Sequence, residues 1–258
     1  MKRALCGAFL VLLAGCASQP EGPGTASGTI VGEPTAPRNR ARVHTDLGTL
    51  YYTRGNMSVA LDELRIAIDA DPTYATAHGV LGLVYMELRE NGLAQQSFER
   101  ALVHAPEDAD INHNYGWFLC QTGREAVAMP HFRRALDNPL YATPARSYAA
   151  AGVCALRIGD LAKAEDNLQR ALRIEPNLPV AMLQLAQLRY QQGRYVEARG
   201  VLKQHGSVAQ SSAASLWLAL RVERRLGARS AELSYANQLR RRFPGSPEAQ
   251  ALQRGDYE

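Results

Sequence analysis

Residues 81–116 read LGLVYMELRENGLAQQSFERALVHAPEDADINHNYG, opening on Leu81-Gly82 and closing on Tyr115-Gly116, thirty-four positions later. Between those pairs stand Ala94, Phe98 and Ala101 at helical spacing, then Pro106. The same theme extends outward in both directions. Leu47-Gly48 lies thirty-four residues earlier, Ala151-Gly152 thirty-six residues later, and Leu185-Ala186 and Ala219-Leu220 follow at thirty-four each. Other landmarks keep step: Ala60, Ala94, Ala128, Ala164 and Ala198, then Leu64, Phe98, Phe132, Leu168 and Leu202. Pro72, Pro106, Pro176 and Pro244 close units, and in five of six units a glycine separates the halves: Gly55, Gly123, Gly159, Gly193 and Gly227. A fixed period of this length is the mark of stacked supersecondary units.

Each unit predicts two amphipathic helices, broken by a glycine that supplies a positive-φ turn and ended by a proline that cannot continue a helix. Small residues at Gly48, Gly82, Gly116 and Gly152 let backbones approach so that bulky neighbours interlock. One unit cannot bury its apolar stripe alone; stacked units can, and stability accumulates through neighbour interfaces. Period and landmarks resemble the tetratricopeptide repeat. The expected fold is all-α, a right-handed α-solenoid of six helix pairs over residues 41–252. Its units fall near 41–74, 75–108, 109–144, 145–178, 179–212 and 213–246, and residues 253–258 form a tail. The two extra residues of unit three fall around Asp137–Tyr141. Unit five departs in its second helix, with His205 where alanine is expected and Gly206-Ser207 where the helix should continue; unit six has Glu232 at the alanine position.

Ahead of the repeats, Met1-Lys2-Arg3 and an apolar run from Ala4 to Ala14 form the basic tip and short greasy core of a secretory signal, too short to span a bilayer. Leu13-Ala14-Gly15-Cys16 resembles the bacterial lipobox, which makes residues 1–15 a signal and Cys16 the acylated first residue. Multiple acyl chains give stable attachment where one gives only marginal binding. Ala17 at the next position implies, by resemblance to lipoproteins of two-membrane bacteria, delivery to the outer membrane. Residues 16–40 hold four prolines, four glycines and little apolar surface, and are expected to be a flexible tether.

A formal charge of +4 over 258 residues is too mild to argue for nucleic acid. The six histidines form no ligand-spaced pair, and no nucleophile elbow, phosphate loop or dinucleotide fingerprint is present. No catalytic residue, metal site or cofactor beyond the Cys16 lipid is expected, and the chain is not expected to be an enzyme. His44 and His78 share one repeat position and are expected to pack between helices. Cys120 and Cys154 could be bridged in an oxidising compartment, although core packing is the commoner fate of such residues.

A solenoid presents a concave surface built by the first helix of each pair. Outward positions in register are Thr49 and Tyr52, Leu83 and Met86, then His113, Trp117 and Cys120, followed by Val153, Gln187 and Tyr190. Tyr52, Leu83, Met86, His113, Trp117 and Cys120 are therefore the candidate partner groove, an aromatic and methionine stripe of the kind interface cores use. Arg221, Arg224, Arg225, Arg229, Arg240, Arg241 and Arg242 gather near the C-terminus, either as a solvated face or as a contact for anionic lipid or an acidic partner.

Beyond the generic repeat, Asn114–Cys120 (NYGWFLC), Asn138–Tyr141 (NPLY), Gly152–Arg157 (GVCALR), Ser215–Leu218 (SLWL) and Gln238–Pro244 (QLRRRFP) resemble the pilotins of type IV pili, the PilF/PilW-type biogenesis lipoproteins. That resemblance implies binding of outer-membrane secretin subunits, their delivery to that membrane and their assembly into a ring, without chemistry. The alternative is a lipoprotein scaffold for other cell-envelope complexes, such as those remodelling peptidoglycan.

Overall fold

Six times along the described residues a helix stops, the backbone turns through one left-handed residue, and a second helix starts two residues later. The computed structural model describes residues 36–257; the signal, Cys16 and the tether as far as residue 35 lie outside the described residues. The pairs are α1 (Ala36–Thr53) with α2 (Met57–Ala70), α3 (Ala75–Glu87) with α4 (Asn91–His104), and α5 (Ala109–Gln121) with α6 (Glu125–Asp137). They continue as α7 (Pro144–Arg157) with α8 (Leu161–Ile174), α9 (Pro179–Gln191) with α10 (Tyr195–Val208), and α11 (Ala213–Arg225) with α12 (Arg229–Arg242). A thirteenth helix, α13 (Pro247–Arg254), closes the stack, and the described residues contain no strand. The fold is an all-α solenoid.

The turns share one construction. Gly55, Gly123, Gly159, Gly193 and Gly227 have φ between 71° and 79°. The residue after each donates its N–H five positions back, as Asn56 does to the Tyr51 carbonyl (2.9 Å) and Arg194 to that of Arg189 (2.8 Å), which satisfies a carbonyl left over at the helix end. Unit two lacks the glycine, and Arg89 takes its place at φ 61°, with Glu90 donating to the Tyr85 carbonyl at 2.9 Å.

Packing inside each pair follows the small residues. A Cβ built on Gly82 would stand 2.8 Å from the Phe98 ring, and one on Gly152 2.7 Å from Leu168 Cγ; Gly48 meets Leu64 and Gly116 meets Phe132 in the same way. Leu64, Phe98, Phe132 and Leu168 are accordingly buried, with Ala60, Ala94, Ala128 and Ala164 beside them. In units five and six the glycine position carries Ala186 and Leu220, both fully buried.

Three expectations need correction. Helix α1 begins at Ala36, not residue 41, so the last residues assigned to the tether are helical; Pro37 is tolerated because first-turn N–H groups have no helical acceptor. Unit five does not break at Gly206-Ser207: α10 runs through to Val208, with His205 buried against its neighbours. The tail does not start at residue 253. Helix α13 reaches Arg254, and Tyr257 stacks on Trp217 with ring centroids 5.7 Å apart. In unit six the unexpected Glu232 is buried but held by Arg224 (2.9 Å) and Arg229 (3.1 Å), which keep its carboxyl below the usual range despite burial.

Candidate partner groove

The inner helices α1, α3, α5 and α7 contribute to a shared cavity of about 570 Å³. Tyr52 comes from α1, Leu83 and Met86 from α3, His113 and Trp117 from α5, and Val153 from α7. The 34-residue period puts corresponding side chains one above the next, so an apolar stripe in the sequence becomes a continuous wall.

The wall is not uniformly apolar. Glu87 and Arg146 line it, as do Glu175, Leu178 and Val180 around the entry to α9. Burial, with Glu87 adding to it, raises the Tyr52 hydroxyl above its ordinary value, so Tyr52 stays a neutral hydrogen-bonding group. His113 is only 7 % exposed. Its Nδ1 lies 2.8 Å from Ser147 Oγ on α7, which donates on to the Tyr141 hydroxyl at 3.1 Å. Burial, reinforced by the Arg146 guanidinium, pushes the ring down to about 4. At neutral pH His113 is therefore an uncharged strut between units three and four.

Cys120 does not belong to the groove. It is fully buried and bridged to Cys154, with the two Cα atoms 5.8 Å apart, so the side chain expected to face a partner instead ties α5 to α7. The bridge settles the open choice between a disulfide and free packing in favour of the disulfide. Arg157 reinforces the same junction by donating to the Cys120 carbonyl at 2.7 Å and to Gln121 at 2.9 Å. Of the remaining outward positions, Val153 is in the cavity, Thr49 is exposed, Gln187 is half-buried, and Tyr190 joins a different pocket near the end of the stack. Arg146, Leu178 and Val180 were missed: the register of inner-helix centres does not reach residues at helix entries. His44 meets Glu63 at 2.6 Å, and buried His78 contacts the Pro72 carbonyl at 2.9 Å and stacks on His104.

Among the described residues no group of three or more metal-type ligands converges, and no helix is long and apolar enough to cross a membrane. Tetratricopeptide-repeat signatures match residues 45–94, 80–145 and 155–221. The type IV pilus assembly protein PilF of Pseudomonas aeruginosa is 32% identical over 217 residues, covering 84% of this chain and 86% of that protein. The chain belongs to the PilF/PilW family. The solved structure of PilW, described as a widely conserved type IV pilus biogenesis factor, superposes with a TM-score of 0.78 at 33% identity, over 83% of this chain and 98% of that one. The structure of Pseudomonas aeruginosa PilF gives the same TM-score at 30% identity, over 86% of this chain and all of that one. The PilF/PilW-type chain is thus a tetratricopeptide scaffold of type IV pilus biogenesis and not an enzyme.

Proposed function

We propose that this PilF/PilW-type protein is a pilotin: an adaptor anchored in the outer membrane through acylated Cys16 that holds a segment of a secretin subunit and promotes secretin multimerisation. The observation that carries this reading is the groove. Five side chains from three successive inner helices line one cavity in which an extended or helical segment can bury apolar surface. Membership of the PilF/PilW family supports the pilus context, and the Leu13-Ala14-Gly15-Cys16 signature supports the anchor. Tethering would keep the client at high effective concentration beside the bilayer.

Two variants test the two halves. The double substitution Met86→Ala/Trp117→Ala should abolish co-purification of secretin from detergent-solubilised membranes while circular dichroism stays helical; unchanged capture of secretin would refute the groove. Cys16→Ala should leave capture intact but misplace the secretin, and normal outer-membrane rings in that strain would refute the anchor. Recovery of a peptidoglycan hydrolase in place of secretin would move the protein to a different envelope machine.

A further inference from the structure

The six inner helices end at equivalent register positions: Thr53, Glu87, Gln121, Arg157, Gln191 and Arg225. Five of these are neutral or basic, which suits the negative end of a helix dipole; α3 alone ends on a carboxylate. No basic residue in the last turn of α3 offsets it, and among the described residues the exposed Glu87 forms no ion pair. The carboxylate therefore opposes the stability of the helix that carries it. A residue that breaks a local rule in this way is placed for something other than stability.

Glu87 also stands where the groove is one-sided in charge. The lining shifts steadily along the inner helices: Tyr52 is next to last in α1, Met86 and Glu87 end α3, Trp117 lies part-way along α5, and Arg146 is the third residue of α7. Two chain reversals separate each inner helix from the next, so the groove runs from the C-terminal ends of α1 and α3 towards the N-terminal ends of α7 and α9. At the latter end the charges are mixed, since Arg146 shares the lining with Glu175 and acts on the Asp110 carboxyl. At the former, Glu87 is the one charged residue that α1 and α3 give to the described lining. Its field adds to burial in keeping the Tyr52 hydroxyl protonated.

We infer that Glu87, Tyr52 and Met86 form a subsite for a lysine or arginine side chain, so that the segment held in the groove is apolar and carries a basic residue where it meets units one and two. The aliphatic stem packs on Met86 while the cationic head meets the Glu87 carboxylate and the face of the Tyr52 ring. The C-terminal dipoles of α1 and α3 add to the attraction. This inference rests on the groove being the partner site, and the test separates the two.

A library of blocked octapeptides, each position drawn from Leu, Phe, Lys, Arg, Asn and Glu, is equilibrated with the full chain in detergent at low salt, and the retained peptides are sequenced by mass spectrometry. Apolar peptides should be retained. Those with one Lys or Arg should be enriched about threefold over matched Asn peptides, the size of a partly exposed ion pair, and high salt should shrink the difference. Glu87→Gln should erase that enrichment while apolar peptides are still retained, Glu87→Lys should turn it towards Glu, and Glu90→Gln in the adjoining turn should leave it unchanged. Because a neutral residue suits the end of α3, Glu87→Gln should melt no lower than the unsubstituted protein. A markedly lower melting temperature would make the carboxylate structural and overturn the subsite. A basic preference that survives Glu87→Gln also overturns it, as does retention of apolar peptides with no basic preference at low salt; either result leaves the groove standing when Met86→Ala/Trp117→Ala abolishes retention. Retention at full strength in Met86→Ala/Trp117→Ala, or no retention of any peptide, sinks the groove and the subsite with it.

Discussion

His113 gives the fold a pH dependence whose sign and size follow from its burial. In the unfolded chain the ring takes a proton near the ordinary 6.5; in the folded one burial and Arg146 lower that to about 4. Above 6.5 the ring is neutral in both states and adds no slope. Between 6.5 and 4 the unfolded chain binds the proton and the folded one does not, so stability falls as the solution is acidified. Each pH unit in that window removes about 1.4 kcal/mol, which gives about 2 kcal/mol between pH 7 and pH 5 and about 3 kcal/mol by the time pH reaches the folded value. His78, His131 and His205 are shifted downward by burial as well and act in the same direction. A comparison with His113→Gln cancels them. Urea unfolding at pH 7, 6 and 5 should show the variant losing about 2 kcal/mol less than the unsubstituted protein across the series. NMR titration of the folded protein should place the His113 ring near 4. Parallel stability profiles for the two proteins, or a ring that titrates near 6.5, would refute the reasoning.

Four further outcomes are expected. The Cys120–Cys154 bridge closes a loop of 34 residues, for which chain entropy gives about 4 kcal/mol, so reductant should lower the urea midpoint while leaving the chain helical in water; equal midpoints would show that the bridge adds nothing. Gly82→Ala forces a methyl against the Phe98 ring and should destabilise, overpacking of about 1–3 kcal/mol outweighing a helix-propensity gain of at most about 1. Gly200→Ala in α10, where the new methyl meets nothing within 4 Å, should stabilise by about 0.5–1 kcal/mol; thermal melts that shift both variants the same way would contradict the packing account. Arg89→Gly should raise stability by roughly 1–2 kcal/mol by relieving a left-handed conformation that the other five turns assign to glycine; an unchanged melting temperature would count against it.

The sequence carries the solenoid openly because one physical requirement, burying a helix-pair stripe against a copy of itself, is written six times. Of the candidate groove, what register delivers is proximity: Tyr52, Leu83, Met86, His113 and Trp117 line one cavity because register translates into direction. Register alone failed at Cys120, since it gives where a Cα sits and not which covalent partner claims the side chain. The signal was nevertheless present. Cys120 and Cys154 are thirty-four residues apart, as are the hydrogen-bonded His113 and Ser147, and that separation places both members of each pair on neighbouring inner helices. The length of α1 and the docking of Tyr257 escaped for another reason. Both lie at the ends of the array, where no further repeat exists to supply the pattern and single contacts decide.

The glycine-against-bulky-residue contact makes the stack a structure of two gauges. Units one to four hold their helices close enough that a methyl group does not fit, whereas units five and six are spaced by Ala186 and Leu220, and their helix backbones touch less extensively. Modules are thus interchangeable only within a gauge. A chimera joined between units two and three should inherit matching interfaces. One that grafts unit six onto unit three would set a wide-gauge module on a narrow-gauge neighbour, and protein engineers who wish to lengthen this scaffold should copy from its front half.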